Sequence, residues 1–174
     1  SSARLGSPLQ VRATLAGVPD ATLALDVLPA APSVIAPFAP TGTASDTQIF
    51  AGEDVGYTYA VTDVYGNDVE FPIIVTVNNP SAVVLDDGLS GTGLIIGLTR
   101  SSATAYQITA RIPGAGVVRS FGMTVDPASG DRFVTLIPSV ATMATGDSVV
   151  LAAVVRDLYG NVLSGASVSF SVDT

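Results

Sequence analysis

The sequence predicts an all-β fold in which β-sandwich modules follow one another in tandem, and three observations lead to this prediction. Short runs of alternating apolar residues recur every roughly 8 to 12 residues with turn signals between them, as in sandwich folds. Val, Thr, Ala, Ser and Gly dominate the composition, and no stretch keeps a helical apolar period for more than a turn. The segment 62–67 (TDVYGN) returns as 156–161 (RDLYGN), which places Gly66 and Gly160 94 positions apart.

A β-hairpin is predicted at the start of the chain. Two runs of alternating apolar residues flank the segment 17–20 (GVPD), which is the predicted turn. The same pattern returns around a second predicted turn at 113–116. The matched residues lie 97 positions apart before the turn (9 and 106) and 98 positions apart after it (25 and 123). The matched positions are Leu9, Val11, Ala13 and Leu15 with Tyr106, Ile108, Ala110 and Ile112, and Leu23, Leu25 and Val27 with Phe121, Met123 and Val125.

Two segments that contain proline, 29–40 and 126–138, are predicted as junctions between modules. Proline lacks the amide donor that a central strand needs, so each junction is expected to lead into an edge strand. A glycine beside an acidic residue follows each junction, at Gly52 and Gly146, and a long strand comes next. The predicted core-facing positions are Val55, Tyr57, Tyr59 and Val61, matched by Val149, Leu151, Ala153 and Val155, and then Ile73, Val75 and Val77, matched by Val168, Phe170 and Val172.

The segment 79–104 occurs only once in the chain. Val83–Leu85 and Leu94–Ile96 are predicted as short strands, with Asp86–Gly88 as the turn after the first. Setting the pieces in order divides the chain into three parts. They are 1–31, the closing hairpin of a preceding module; 32–127, one complete module; and 128–174, the opening half of a following module.

The run from Val155 to Phe170 (VRDLYGNVLSGASVSF) is similar to the bacterial immunoglobulin-like domains of invasin- and intimin-type adhesins. Those domains carry a strand, an Asp-rich turn with Gly-Asn, and a Val-x-Phe strand. Ala105–Ala110 resembles their penultimate strand, which a Tyr opens, and Asn79–Val83 resembles a second group of such repeats. The sequence departs from the family where Leu9 replaces that Tyr and where no Pro follows Gly-Asn. The resemblance implies tandem immunoglobulin-like β-sandwich modules in a structural, adhesion-related protein of the bacterial surface.

Composition excludes several classes of function. The net charge of −8, the pI near 4.1 and the absence of lysine argue against a nucleic-acid-binding surface. The missing lysine also excludes the Lys–Asn isopeptide crosslinks that some surface modules use. Cysteine is absent, so neither disulfides nor thiolate metal sites are expected. The longest apolar run, Val149–Val155, is too short to insert across a membrane.

No catalytic residue is predicted, and the chain is expected not to be an enzyme. A Ser nucleophile would lack its base, because His, Lys and Cys are all missing. Paired carboxylates can hydrolyse glycosides, but Asp86 and Asp87 are neighbours that would point to opposite faces of a strand or be solvated in a turn. The segment 91–97 (GTGLIIG) has neither the spacing nor the following helix of a dinucleotide loop, so a loop-to-strand transition is expected there.

Calcium is the one cofactor that the sequence leaves open. Of the 15 acidic residues 13 are Asp, and several lie in predicted turns that could supply oxygen ligands. Asp is also an ordinary turn residue, and no spacing here matches a calcium loop, so no metal ligands and no cofactor are assigned. The candidate groups are Asp63 with Asn67 and Asp68, Asp86 with Asp87, and Asp126 with Asp131 at the junction, which is the best placed.

The five tyrosines are predicted to pack in the core or to anchor corners through their hydroxyl groups. The alternative is a platform on which a sugar stacks. Tyr57 and Tyr59 fall on the core-facing register, while Tyr65 and Tyr159 belong to the repeated turn. These positions favour structural roles for them, as for Tyr106.

Three functions remain open at this point. The leading one is a structural spacer or stalk in an extracellular or cell-surface protein, with neighbouring modules of the same protein as partners. The second is an accessory module that binds carbohydrate or protein through Pro37–Pro40 or Leu89–Gly93. The third is an assembly subunit of a surface layer or appendage, in which 1–31 of one copy completes 128–174 of another.

Overall fold

The computed structural model describes residues 8–41, 47–87, 91–101, 104–139 and 141–172. Its elements are β-strands, which confirms the predicted all-β fold. None of the described residues belongs to a helix long and apolar enough to cross a membrane. The strands are β1 (Leu9–Leu15), β2 (Val18–Leu25), β3 (Val34–Pro40), β4 (Gln48–Phe50), β5 (Asp54–Thr62), β6 (Ile74–Val77), β7 (Val83–Asp87), β8 (Thr92–Gly97), β9 (Tyr106–Arg111), β10 (Val118–Asp126), β11 (Arg132–Ile137) and β12 (Ala152–Asp157).

Two four-stranded sheets contain the strands from β3 to β10. One has the order β3-β5-β8-β7 and the other β4-β10-β9-β6, and the pairing is antiparallel except between β4 and β10. Buried side chains from both sheets form one cluster between them, with Tyr57 and Ile95 from the first and Ile108, Met123 and Val125 from the second. The sheets therefore pack face to face around an apolar core, as in a sandwich.

The predicted core-facing registers in this part of the chain are confirmed. On β5, Tyr57 and Val61 are buried, and Val55 and Tyr59 pack against the core as partly buried residues. On β9 and just beyond it, the buried side chains alternate with exposed or partly buried ones, because successive strand residues point to opposite faces. The buried positions there are Tyr106, Ile108, Ala110 and Ile112.

The candidate binding patch at Pro37–Pro40 does not present its aromatic ring at the surface. Phe38 lies on β3, an edge strand as expected, but its ring turns inward and contacts the rings of Tyr57 and Phe121. The ring centroids are 6.0 Å and 5.0 Å away, respectively. Phe38 alternates with prolines along an edge strand, which hid its inward direction in the sequence. The other proposed patch, Leu89–Gly93, includes residues 88–90, which lie outside the described residues.

The N-terminal hairpin is present, but its turn is shorter than predicted. β1 and β2 pair antiparallel, with Leu15 opposite Val18, so the loop is Ala16–Gly17 alone and Pro19 lies within β2. Gly17 has φ 81°, a left-handed conformation that glycine adopts without strain. A two-stranded sheet has only edge strands, which is why proline is tolerated in β2.

The C-terminal part has fewer strands than predicted. β11 and β12 pair antiparallel, yet Val149–Leu151 and Val168–Val172, predicted as strands, are not assigned to any. The equivalent half of β5 pairs with β8, and β6 pairs with β9. The described residues from 132 to 172 contain no counterpart of β8 or β9. The backbone groups of Val149–Leu151 and Val168–Val172 therefore have no neighbouring strand to pair with.

Two smaller predictions concern β7 and β8. Asp86 and Asp87 lie within β7, opposite Leu94 and Gly93, and not in a turn. The expected transition from loop to strand at 91–97 is confirmed, because β8 begins at Thr92. Gly93 and Gly97 of β8 lie where core side chains pack and a Cβ would collide with them. A Cβ on Gly97, for example, would lie 2.8 Å from a Val125 methyl carbon.

β1–β2 and β11–β12 form sheets of their own, separate from the two large ones. The division of the chain at 31 and 127 stays a prediction. We call residues 1–31 the N-terminal hairpin, residues 32–127 the central module and residues 128–174 the C-terminal segment.

Candidate functional site

The first of the two repeated turns is organised around a buried carboxylate. Asp63 is 1% exposed, and its Oδ1 accepts hydrogen bonds from the backbone amides of Tyr65 (2.8 Å) and Asn67 (2.9 Å). Its Oδ2 accepts from the side-chain amide of Asn67 (2.9 Å). Gly66 has φ 83°, which only glycine adopts without strain. Asp thus satisfies the backbone amides of the turn, and Gly supplies its left-handed conformation.

The second turn repeats this arrangement bond for bond. Asp157 is also 1% exposed, and its Oδ1 accepts from the amides of Tyr159 (2.9 Å) and Asn161 (2.8 Å). The side-chain amide of Asn161 donates to Asp157 Oδ2 at 2.9 Å. Gly160 has the same φ of 83° as its counterpart. The 94-residue sequence repeat is therefore also a repeat of hydrogen bonds.

Each carboxylate reaches beyond its own turn to the segment that connects two parts of the chain. Asp63 Oδ2 accepts from the amide of Ala30 (2.9 Å), at the end of the N-terminal hairpin. Asp157 Oδ2 accepts from the amide of Ala128 (2.7 Å), at the start of the C-terminal segment. The same turn thus fixes the connecting segment in both places.

Asn161 extends the second turn to the central module itself. Its Nδ2 donates to the carbonyl oxygen of Leu98 (3.0 Å), and its Oδ1 accepts from the amide of Arg100 (2.8 Å). The guanidinium group of Arg100 reaches back to the carbonyl oxygen of Val162 (3.3 Å) and to the hydroxyl group of Ser164 (3.4 Å). Hydrogen bonds therefore cross the boundary between the central module and the C-terminal segment in both directions.

The loop that receives Asn161 is held from within the core. The hydroxyl group of Tyr106, a residue only 9% exposed, lies 3.0 Å from the carbonyl oxygen of Thr99 and 3.2 Å from that of Arg100, and donates to this pair. Burial raises the pKa of Tyr106, so the hydroxyl group keeps its proton and stays a donor. Tyr106 thus performs the predicted anchoring role, and it orients the backbone groups that Asn161 binds.

A second contact across the same boundary involves an aromatic ring and a glycine. Tyr159 packs directly on Gly52, where the ring and hydroxyl group of the tyrosine occupy the space that a Cβ would need. Gly52 also has φ 87°. Gly146, its counterpart in the C-terminal segment, has φ 94° but no heavy atom within 4 Å of an added Cβ.

The hydrogen bonds change the acidity of both carboxylates. Burial by itself would raise the pKa of Asp63, but the bonds from the Asn67 side chain and from the amides of Ala30, Asn67 and Tyr65 lower it from 3.8 to about 2. The equivalent bonds lower the pKa of Asp157 against the same opposing effect of burial. Both groups are therefore ionised at neutral pH and act as acceptors only.

The Asp residues predicted as possible calcium ligands are placed differently from that expectation. Among the described residues, no group of three or more acidic side chains is arranged to hold a metal ion. Asp63 is surrounded by donors, and Asp126 accepts from the side chain of Gln48 (2.6 Å). Asp68, Asp86 and Asp131 are exposed. The structure thus uses the turn carboxylates as acceptors for backbone and side-chain N–H groups.

The tyrosines do not form one platform. Tyr57 is buried in the core, Tyr59 is partly buried and packs against it, and Tyr106 anchors a loop. Tyr159 lies on Gly52, while Tyr65 is exposed. Sequence reasoning missed the part played by Leu98–Arg100, because this loop lies in the segment that occurs once and offers no second copy for comparison.

Comparisons with known proteins concern the fold. No protein-family model matches the sequence, and no curated protein matches it. Among solved structures, domains 4 and 5 of the S-layer protein SbsC match with 15% identity and a TM-score of 0.44, covering 70% of this chain and 59% of that one. Domains 4–9 of SbsC match with 15% identity and a TM-score of 0.45 (96% and 27% covered), and domains 1–6 with 16% and 0.45 (83% and 19%). The chain therefore spans between 19% and 59% of the lengths of these structures.

Proposed function

We propose that this chain is a non-enzymatic structural spacer, a piece of a stalk built from tandem immunoglobulin-like modules in an extracellular or cell-surface protein of a bacterium. The observation that carries the proposal is the pair of bonds from Asn161 to Leu98 and Arg100. These bonds and the one from Ala128 to Asp157 lie at one boundary, so they tie two parts of the chain and their connection together.

Such a boundary favours a rigid connection over a flexible one. Domains joined by a linker move relative to each other by default, unless the contacts between them hold them in place. Here the linker amide is bonded to a side chain that is 1% exposed, and water competes poorly for bonds in that environment. A spacer needs this property, because successive modules at a fixed angle extend the chain in one direction.

The repetition of the device supports the same function. The bond between Asp63 and Ala30 is the counterpart of the bond between Asp157 and Ala128, so two junctions along the chain use one design. The composition agrees with a passive role, since His, Lys and Cys are missing from the sequence. The resemblance to adhesin modules supports the bacterial surface as the location.

Small-angle X-ray scattering tests the proposal. We expect the scattering of the 174-residue chain to fit one extended shape, and the Asn161→Ala variant to need an ensemble of module orientations. Asn78→Ala is the matched control, because Asn78 accepts from the amide of Gln107 and makes its bond inside the central module. A wild-type profile that already requires freely reorienting modules would contradict the proposal.

A second candidate function, an assembly subunit of a surface layer or appendage, is favoured by one specific observation. Apolar side chains are exposed on the two-stranded sheets β1–β2 and β11–β12. The third function is a binding module. Its candidate patch around Phe38 is weakened, because the Phe38 ring packs inward against Tyr57 and Phe121.

A further inference from the structure

A cavity of about 330 Å³ lies at the boundary between the central module and the C-terminal segment. Its lining residues come from both sides: Phe50 and Arg100 belong to the central module, and Arg132 and Ser164 to the C-terminal segment. Residues 126–129, which include the connection between the two parts, supply more of the wall. Small-molecule sites have volumes of roughly 300 to 1,000 Å³ and are common at interfaces between domains. The cavity therefore has the size and the place of a site for a small ligand.

Two guanidinium groups without an acidic partner line this cavity. In the part of the chain that the structure describes, neither Arg100 nor Arg132 forms an ion pair, although acidic residues outnumber arginines 15 to 7 in the sequence. Arg100 uses Nη1 for its bonds to Val162 and Ser164, which leaves its other N–H groups as donors. Planar guanidinium groups bind carboxylates and other oxyanions with pairs of parallel hydrogen bonds. The two arginines therefore favour a ligand that carries such a group.

The cavity also contains an acceptor, which narrows the choice of ligand. The Asp126 carboxylate lines it, and the Oδ2 of this group accepts from the Gln48 side chain (2.6 Å). A phosphate or sulfate ion carries negative charge on every side and would set oxygen atoms against this carboxylate. A molecule with a carboxylate at one end and hydroxyl groups at the other satisfies both kinds of group, because Asp126 can accept from a hydroxyl group.

An exposed aromatic ring supplies the third part of the site. Phe50 is 50% exposed and lines the cavity. Aromatic rings offer a large flat apolar surface, and the C–H groups on one face of a sugar ring can pack against it. A sugar acid combines the apolar face, the hydroxyl groups and the carboxylate that this set of side chains can bind.

A neighbouring cavity has the opposite electrostatic character. Its volume is about 440 Å³, and it shares Phe50 and residues 128–129 with the first cavity. The carboxylates of Glu53 and Asp131 line it, so a negatively charged ligand is repelled there. The two arginines therefore direct such a ligand to the first cavity.

We propose that the cavity beside Arg100 and Arg132 binds a sugar acid, a monosaccharide unit with a carboxylate such as a hexuronic acid. The two arginines hold the carboxylate, Asp126 accepts from a hydroxyl group, and Phe50 packs against the sugar ring. The site adds a binding function to the spacer. It rests on the proposed spacer function, because the fixed junction brings Arg132 to the same cavity as Arg100.

Titration of the 174-residue chain with sodium glucuronate, followed by nuclear magnetic resonance, tests the site. We expect the backbone amides of Ala128, Ser129 and Ser164 to shift and to saturate. D-glucose lacks the carboxylate and acetate lacks the sugar ring, so each is expected to bind about tenfold more weakly or less, the factor that one lost charge-assisted contact or one lost apolar contact brings. Inorganic phosphate is the third comparison. All titrations are made at the same ionic strength, because salt screens the arginines.

Two variants with matched controls assign the binding to this cavity. Arg132→Ala removes one of the two guanidinium groups, and Arg119→Ala removes an exposed one on β10 with the same change in net charge. Phe50→Ala removes the ring, and Phe133→Ala removes a similarly exposed ring (53%) on β11. We expect binding about tenfold weaker in Arg132→Ala and Phe50→Ala, and unchanged in both controls. Circular dichroism checks that all four variants fold.

Acetate or phosphate that binds as tightly as glucuronate would overturn the proposal, because the site would then recognise a simple anion. Equal losses in Arg132→Ala and Arg119→Ala would also overturn it, since they indicate attraction by dispersed positive charge. So would a glucuronate titration without saturable shifts. Small-angle scattering of the chain without ligand reports separately on the junction. An extended chain that does not bind glucuronate would therefore reject the site while leaving the spacer function standing.

Discussion

The side chain of Asn161 uses both ends of its amide to reach Leu98 and Arg100, with Nδ2 donating to the Leu98 carbonyl oxygen at 3.0 Å and Oδ1 accepting from the Arg100 amide at 2.8 Å. The second Nδ2 proton goes to the Asp157 carboxylate at 2.9 Å. Both Nδ2 protons and the Oδ1 acceptor are therefore engaged at a boundary between two parts of the chain. Of the side chains of this size and shape, only an amide supplies donors and an acceptor together.

The first prediction follows from this geometry. Asn161→Asp keeps the shape, but it removes both Nδ2 donors and sets a negative charge against Asp157. We expect the junction to lose about 1 to 3 kcal/mol, the cost of unpaired buried polar groups. Hydrogen exchange measures this loss of stability as reduced protection of the amides of Arg100 and Ala128. Asn78→Asp is the control, because the acceptor for Gln107 survives; equal effects of the two variants would refute the role of Asn161.

The second prediction concerns Gly52. An alanine there would be strained at φ 87° and would also displace Tyr159, whereas Gly146→Ala carries similar strain at φ 94° without a neighbour to displace. We expect Gly52→Ala to lower protection of the Ala128 amide, while Gly146→Ala leaves it unchanged. The difference between the variants isolates the contact across the boundary from the backbone effect.

The third prediction concerns the hydroxyl group of Tyr106. Tyr106→Phe keeps the ring in the core but removes the donor to Thr99 and Arg100. We expect a loss of about 0.5 to 1.5 kcal/mol, typical of one hydrogen bond. The Arg100 amide should exchange faster, because the loop that presents it to Asn161 is no longer anchored. Tyr65→Phe removes an exposed hydroxyl group and should change nothing; an unaltered Arg100 amide in Tyr106→Phe would show that the anchor is dispensable.

The fourth prediction is the dependence of both junctions on pH. The pKa of Asp63 is lowered from 3.8 to about 2, and that of Asp157 is lowered too. A lowered pKa in the folded state means that the ionised group stabilises the fold above the ordinary value of 3.8. This stabilisation is lost as the pH falls through the folded pKa, near 2 for Asp63. Carboxyl resonances followed by nuclear magnetic resonance from pH 7 to acid should titrate late at these two residues; a midpoint of Asp63 near 3.8 would contradict the prediction.

The repeated segment allowed the two turns to be located from the sequence. An Asp, a Gly and an Asn at fixed spacing make a local structure, in which each bond joins residues at most four positions apart. The alternating faces of β5 and β9 were predictable for the same reason, because a strand period of two residues is visible in the sequence.

The failures came where a partner lies far along the chain. Val149–Leu151 and Val168–Val172 have the composition of strands, but a strand also needs a neighbour to bond with. Phe38 lay in a candidate binding segment, but its ring contacts Tyr57 and Phe121, which are far from it in the sequence. The bond from Asn161 to Leu98 joins residues 63 positions apart, and nothing local to either residue indicates the other.

The fixed orientation of the C-terminal segment on the central module is tested most directly by a distance distribution across their boundary. Spin labels on Thr76→Cys and Ser167→Cys, both exposed positions in a chain without cysteine, report that distance by pulsed electron resonance. The hydrogen bonds that join Asn161 to Leu98 and Arg100 predict one narrow distribution, which broadens when Asn161→Ala is added. A distribution that is broad in the unmutated chain and unchanged by Asn161→Ala would contradict the fixed orientation.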